Sequence, residues 1–143
     1  MKNTPLFALT HGAIDVDALK AQLSQASCGA LVSFEGLVRN HNNQKPVTHL
    51  SYSAYEGMAV KVGTQIVQNA LAEFNITTAV CVHRIGELAI VDMAIYVGVG
   101  ASHRDEAFLA CRHILDTVKA DVPIWKQEFY ADDNTPAWLS NNG

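Results

Sequence analysis

Apolar residues recur at helical spacing in three stretches of the chain. Residues 15–26, DVDALKAQLSQA, place Val16, Leu19 and Leu23 on one face behind Asp15, a residue type that caps helix starts. Residues 57–75, GMAVKVGTQIVQNALAEFN, carry a stripe of Val62, Ile66, Ala70 and Phe74, joined by Val67 and Leu71. Residues 102–121, SHRDEAFLACRHILDTVKAD, put Phe108, Cys111, Leu115 and Val118 inside. Between them the apolar pattern shortens to that of strands. GALVSFEGLVR (29–39) sets Val32, Phe34 and Val38 on one face. VTHLSYSAYEG (47–57) alternates Leu50, Tyr52 and Ala54 against His49, Ser51 and Ser53. TAVCVHRIG (78–86), MAIYVGVGA (93–101) and IWKQEFYA (124–131) complete the set. NHNNQKP (40–46) reads as a polar loop and GELAIVD (86–92) as a turn. The polar end from about residue 132 is expected to fray, with Trp138 as a pin.

The order αββαββαβ predicts a single α+β domain over 1–143, with helices packed on one face of a mostly antiparallel sheet. Its 143 residues suffice for one core. A net charge of −4 and the lack of any Lys/Arg run argue against general nucleic-acid binding. Any anionic ligand must therefore meet a local basic cluster. No stretch approaches the ~20 apolar residues of a membrane span, and Asp15 and Asp17 come too early for a signal peptide. Three cysteines, Cys28, Cys81 and Cys111, suit a reducing, cytoplasmic setting better than a disulfide framework. CVH (81–83) and CRH (111–113) share a Cys-x-His spacing. On a strand that spacing keeps one face and on a helix it splits, so no metal site is expected.

Three places can carry chemistry. In GASHRDEAF, Ser102 is the expected N-cap with Asp105 completing a capping box. His103 and Arg104 then open the helix where free N–H groups favour a phosphate. The alternative is a capped helix whose first turn happens to be basic. In KADVPIWKQEFY (119–130), Lys119 ends the helix and Lys126 follows the break at Pro123. Lys119 alone suits the helix dipole, and Lys126 alone suits solvent. Folded back together, the two amines would lower each other's pKa, as a nucleophile or proton shuttle requires. In FEGLVRNHN (34–42), Arg39 and His41 stand where a strand opens into a loop, a place for a ligand or simply a solvated end.

FEGLVRNHN, HRIGEL, VGVGASHRDEAF and LDTVKADVPIWKQE, in that order and spacing, resemble the large, catalytic subunits of molybdopterin synthase, the molybdenum cofactor biosynthesis protein E family. The resemblance spans about residues 29–130. It implies an α/β hammerhead-type fold and a central homodimer with a small ubiquitin-like sulfur-carrier subunit at each end, a heterotetramer. The carrier's Gly-Gly tail, as a thiocarboxylate, would enter a pocket of this subunit. Two sulfurs would pass to cyclic pyranopterin monophosphate, forming the dithiolene of molybdopterin and opening the cyclic phosphate, with no metal or cofactor. The resemblance makes Lys119 the leading catalytic residue and Lys126 its partner. It makes Leu37, Val38, Arg39, His103, Arg104, Lys119, Lys126, Gln127 and Glu128 the substrate-binding set, and Phe34 part of the channel for the carrier tail. Position 37 is often basic in the family and is leucine here. After Trp138 the chain has no Lys or Arg, whereas relatives can carry a longer basic tail. Two other readings compete: a non-catalytic module for a phosphorylated ligand, and a structural partner of a ubiquitin-like protein.

Overall fold

The computed structural model describes residues 4–131 and 136–141. Three helices and nine strands run β1 (Phe7–Thr10), α1 (Val16–Leu23), β2 (Ala30–Leu37), β3 (His41–Asn42), β4 (Lys45–Ala54), α2 (Glu56–Glu73), β5 (Thr78–Arg84), β6 (Gly86–Ala89), β7 (Met93–Ala101), α3 (Arg104–Asp121), β8 (Ile124–Tyr130) and β9 (Ala137–Ser140). They build two sheets. The first has the order β1-β5-β7-β2, and only its β1–β5 pair is parallel. The second joins β3, β4, β8 and β9, with β6 also on β4, all antiparallel. The fold is α+β, as the pattern predicts.

β5 and β7 are buried on both faces, which explains their near-continuous apolar runs. Their alternate residues feed two cores. Cys81, Val97 and Val99 face the main core with Val67 of α2 and Ile114 of α3. Val80, Val82 and Tyr96 face Leu19 and Leu23 of α1. The two long helices thus share one face, and the short α1 covers the other, a layer that the expectation of helices on one face left out. Asp15 caps α1, accepting from the Ala18 N–H at 3.1 Å. Gly63 sits mid-helix because a Cβ there would run into the Phe7 ring of β1.

Other local expectations need correction. α3 starts one residue late: His103 is the N-cap, without a side-chain cap bond, and Ser102 Oγ donates to the Ser27 carbonyl at 3.4 Å. Phe108 is exposed, since α3 buries Ala107, Ala110, Cys111, Ile114 and Val118 instead. Those small residues at its start let the helix lie close on the sheet. The polar stretch 40–46 is a hairpin whose turn residues, Asn43 and Gln44, both have positive φ (49° and 66°). The 86–92 segment contains β6, and Gly86, at φ 95°, is the corner that carries the chain from the first sheet to the second. Residues 137–140, within the end expected to fray, pair with β8, where Trp138 lies opposite Gln127. Residues 132–135 and 142–143 lie outside the described residues.

Candidate active site

A cavity of about 420 Å³ opens between the two sheets. β2 brings Phe34, Gly36 and Leu37 to it, followed by Val38 and Arg39. The pairing of β2 with β7 shifts register between Gly36 and Leu37, and such a bulge re-aims the residues after it. A Cβ at Gly36 would stand 2.7 Å from Ile95 Cγ2, so only glycine lets the strands approach there. Val38 is then clasped on both sides: its N–H donates to the Asp92 carbonyl (2.9 Å) and its carbonyl accepts from Val91 (2.8 Å).

Lys119, in the last turn of α3, enters from another wall. The helix ends at Asp121, Val122 turns extended, and the Pro123 carbonyl accepts from the Tyr55 N–H at 3.1 Å. β8 then runs back along β4 and delivers Lys126 opposite Tyr52. Lys126 and Glu128 share a face two residues apart, and both line the cavity. Gln127 between them faces the other side of the sheet.

The charges are arranged unevenly. Burial lowers the Lys119 pKa first, then the nearby Lys126 and Arg39 cations lower it further, with Asp116 opposing. Glu128, 4% exposed, is the buried counter-charge. Its Oε2 lies 3.9 Å from Lys126 Nζ, and its Oε1 accepts from Asn42 Nδ2 (2.8 Å) and the Tyr130 hydroxyl (2.9 Å). Asn42 also accepts from Arg39 Nη2 at 3.2 Å, so one amide ties Arg39 to Glu128. Burial, then the Glu128 charge, pushes the Tyr52 phenol up to about 12, so it stays a hydrogen-bond donor. Such a site can hold an anion against desolvated cations and offers an amine that gives up its proton more readily than an exposed lysine.

His103 and Arg104 do not join this cavity. Both are exposed, at the far end of α3. Fifteen residues of helix separate Arg104 from Lys119, about 22 Å at 1.5 Å per residue. His41 is exposed as well and bonds to Asn40 (3.0 Å). Among the described residues, no three His, Cys, Asp or Glu side chains gather as a metal-binding group. Cys81 and Cys111 lie in the main core. No helix among the described residues is long and apolar enough to cross a membrane.

The family model described as MoaE protein matches residues 9–121. The chain belongs to the MoaE family. A molybdopterin synthase catalytic subunit from Nostoc sp. is 38% identical over 94% of this chain and 81% of its own length. One from Pyrococcus abyssi is 41% identical over 90% of this chain and 85% of its own length. The crystal structure of molybdopterin synthase from Staphylococcus aureus superposes with a TM-score of 0.87 at 31% identity, covering 97% of this chain and 98% of that one. In this MoaE chain, Leu37 is 55% exposed where it lines the cavity, so it offers apolar surface there. Sequence reasoning missed Tyr52, His83 and Asn141 among the polar lining residues, and Asn42, which bonds to Arg39 and Glu128 behind them. HRIGEL contains His83, and its placement after an apolar strand was the available signal.

Proposed function

We propose that this chain is the catalytic subunit of a molybdopterin synthase. It transfers sulfur from the C-terminal thiocarboxylate of a small ubiquitin-like carrier to cyclic pyranopterin monophosphate. The observation that carries this reading is the convergence of Lys119, Lys126 and Arg39 in one partly desolvated cavity, which Glu35 and Glu128 also line. Thiocarboxylate and phosphate are both anions, and an acidic chain meets them with this cluster.

Lys119 is the group nearest to the chemistry in this reading. Its lowered pKa supports a role as proton carrier or nucleophile, and in its charged form it stabilises an oxyanion or departing thiolate. Lys126, 3.9 Å from Glu128, stands beside Lys119. Phe34 and Leu37 give the carrier's tail an apolar approach. Each carrier gives up one sulfur, so one dithiolene consumes two charged carriers. One chain cannot bring His103 and Arg104 to Lys119. In a homodimer, the helix start of a second copy would supply them to the substrate phosphate. Three free cysteines agree with a reducing compartment such as the cytoplasm.

The test is a single-turnover reaction of the protein with thiocarboxylated carrier and cyclic pyranopterin monophosphate, quantifying the dithiolene. Wild type forms product, and Lys119→Ala loses at least about a hundredfold, or about 2.7 kcal/mol of barrier. Equal rates would remove Lys119 from the chemistry. Carrier binding without product would replace the enzyme with a binding module.

A further inference from the structure

β5 ends beside Lys119 with a histidine that lines the cavity and is 1% exposed. His83 Nδ1 lies 2.8 Å from the Arg84 carbonyl oxygen. A carbonyl can only accept, so Nδ1 carries the proton. Nε2 therefore presents its lone pair, which accepts from Asn141 Nδ2 at 3.1 Å. The Tyr52 ring meets the imidazole edge-on, 4.8 Å between centroids. Residues of β4, β5 and the end of β9 thus fix both nitrogens and the plane of one ring. The charged and titratable groups around the same cavity are Glu35, Arg39, Tyr52, Lys119, Lys126 and Glu128. Burial lowers the His83 pKa to about 4, against the Arg84 hydrogen bond and with help from the Lys119 charge. A charged imidazole would be a fourth cation in the pocket and would lose the Asn141 bond.

We propose that His83 is a positioning residue of the sulfur-transfer site: a neutral imidazole, locked as the Nδ1–H tautomer between Arg84 and Asn141, that joins the two sheets at Lys119 and sets where its amine stands. This rests on the reading of the site given above. The role is one of shape and hydrogen bonding rather than proton transfer. Glutamine can replace it, because its amide oxygen reaches toward the Nε2 position and accepts from Asn141. Leucine cannot, because it leaves that buried amide unpaired.

Histidine-selective 15N NMR on the substrate-free wild type reads the tautomer directly. The expected His83 signals are a protonated Nδ1 and an unprotonated Nε2, constant between about pH 5.5 and 8.5, a range in which an ordinary histidine titrates. Single-turnover rates read the role. His83→Gln keeps the rate within about threefold and the shape of the pH–rate profile. His83→Leu loses at least about tenfold, about 1.4 kcal/mol of barrier. If His83→Leu does not fold, Asn141→Ala removes the same hydrogen bond from the other side and slows turnover at least about threefold, about 0.65 kcal/mol. A ring that titrates near 6.5, or a hundredfold loss in His83→Gln, would make His83 a proton carrier and overturn the proposal. An unchanged rate in a folded His83→Leu, or in Asn141→Ala, would overturn it too. A wild type that forms no dithiolene removes both the reaction and the role within it, whereas a titrating ring in an active enzyme removes the role alone.

Discussion

The two ends of α3 carry similar side chains in different surroundings. At its end, Lys119 is drawn between two sheets and its pKa falls through burial and two neighbouring cations. At its start, His103 and Arg104 stand exposed on a helix end without a side-chain cap. Basic residues are common. What turns one into a chemical group is the wall around it, and only the Lys119 end has walls within a single chain. The other end supplies charge that needs a second surface to act on.

Removing the wall's counter-charge gives the largest expected loss. Glu128→Ala removes the buried carboxylate that faces the largely buried Lys126 and accepts from Asn42 and Tyr130. Breaking one side of a buried ion pair costs about 3 kcal/mol, to be read by denaturant unfolding. A loss below about 1 kcal/mol would mean that Lys126 is solvated and that the contrast between the helix ends is weaker than drawn. The opposite end answers in binding. Arg104→Ala should leave stability within about 0.5 kcal/mol. It should raise KM for the phosphorylated substrate about tenfold, about 1.4 kcal/mol, and lessen the salt dependence. An unchanged KM would exclude Arg104 from the phosphate site.

A pH titration separates the ends without substrate. A lysine whose folded pKa lies below its unfolded value of 10.5 carries its full penalty at lower pH, when both states are protonated. As pH rises from the folded to the unfolded pKa, the unfolded chain holds more protons and the native state gains relative stability. That gain should be present in wild type and absent in Lys119→Met. The smallest effect is at the helix start. Ser102→Ala should cost under about 0.5 kcal/mol, since Ser102 does not cap α3, whereas Asp15→Ala should cost about 1 kcal/mol. Equal losses would restore Ser102 as a cap.

Much of this was legible in the chain. The long helices announce themselves because five turns repeat one stripe, and β5 and β7 because burial on both faces makes them apolar throughout. Arg39, Lys119, Lys126 and Glu128, singled out in FEGLVRNHN and KADVPIWKQE, line one cavity. β1, β6 and β9 were missed because four residues give two positions per face, too few for alternation to show. The 41–46 hairpin was missed because Asn43-Gln44 lacks the glycine that usually marks a turn with positive φ. Phe108 was placed inside by spacing alone, while packing selected the small residues beside it. Tyr52, His83 and Asn141 come from three distant segments, and only the meeting of the two sheets makes them neighbours. Gln127 was placed in the substrate set as part of a motif, and strand alternation turns it away.

The length of α3 has a consequence for genetics. A lesion at Lys119 and a lesion at Arg104 lie about 22 Å apart on one chain. If each site of a symmetric pair draws one from each copy, the two lesions fall on different sites or on the same one according to which chains meet. A hybrid of one Lys119→Ala chain and one Arg104→Ala chain then gathers both defects in one site and leaves the other whole. Random reassortment of the two stocks yields half hybrids, each with one sound site of two, so roughly a quarter of all sites carry neither lesion.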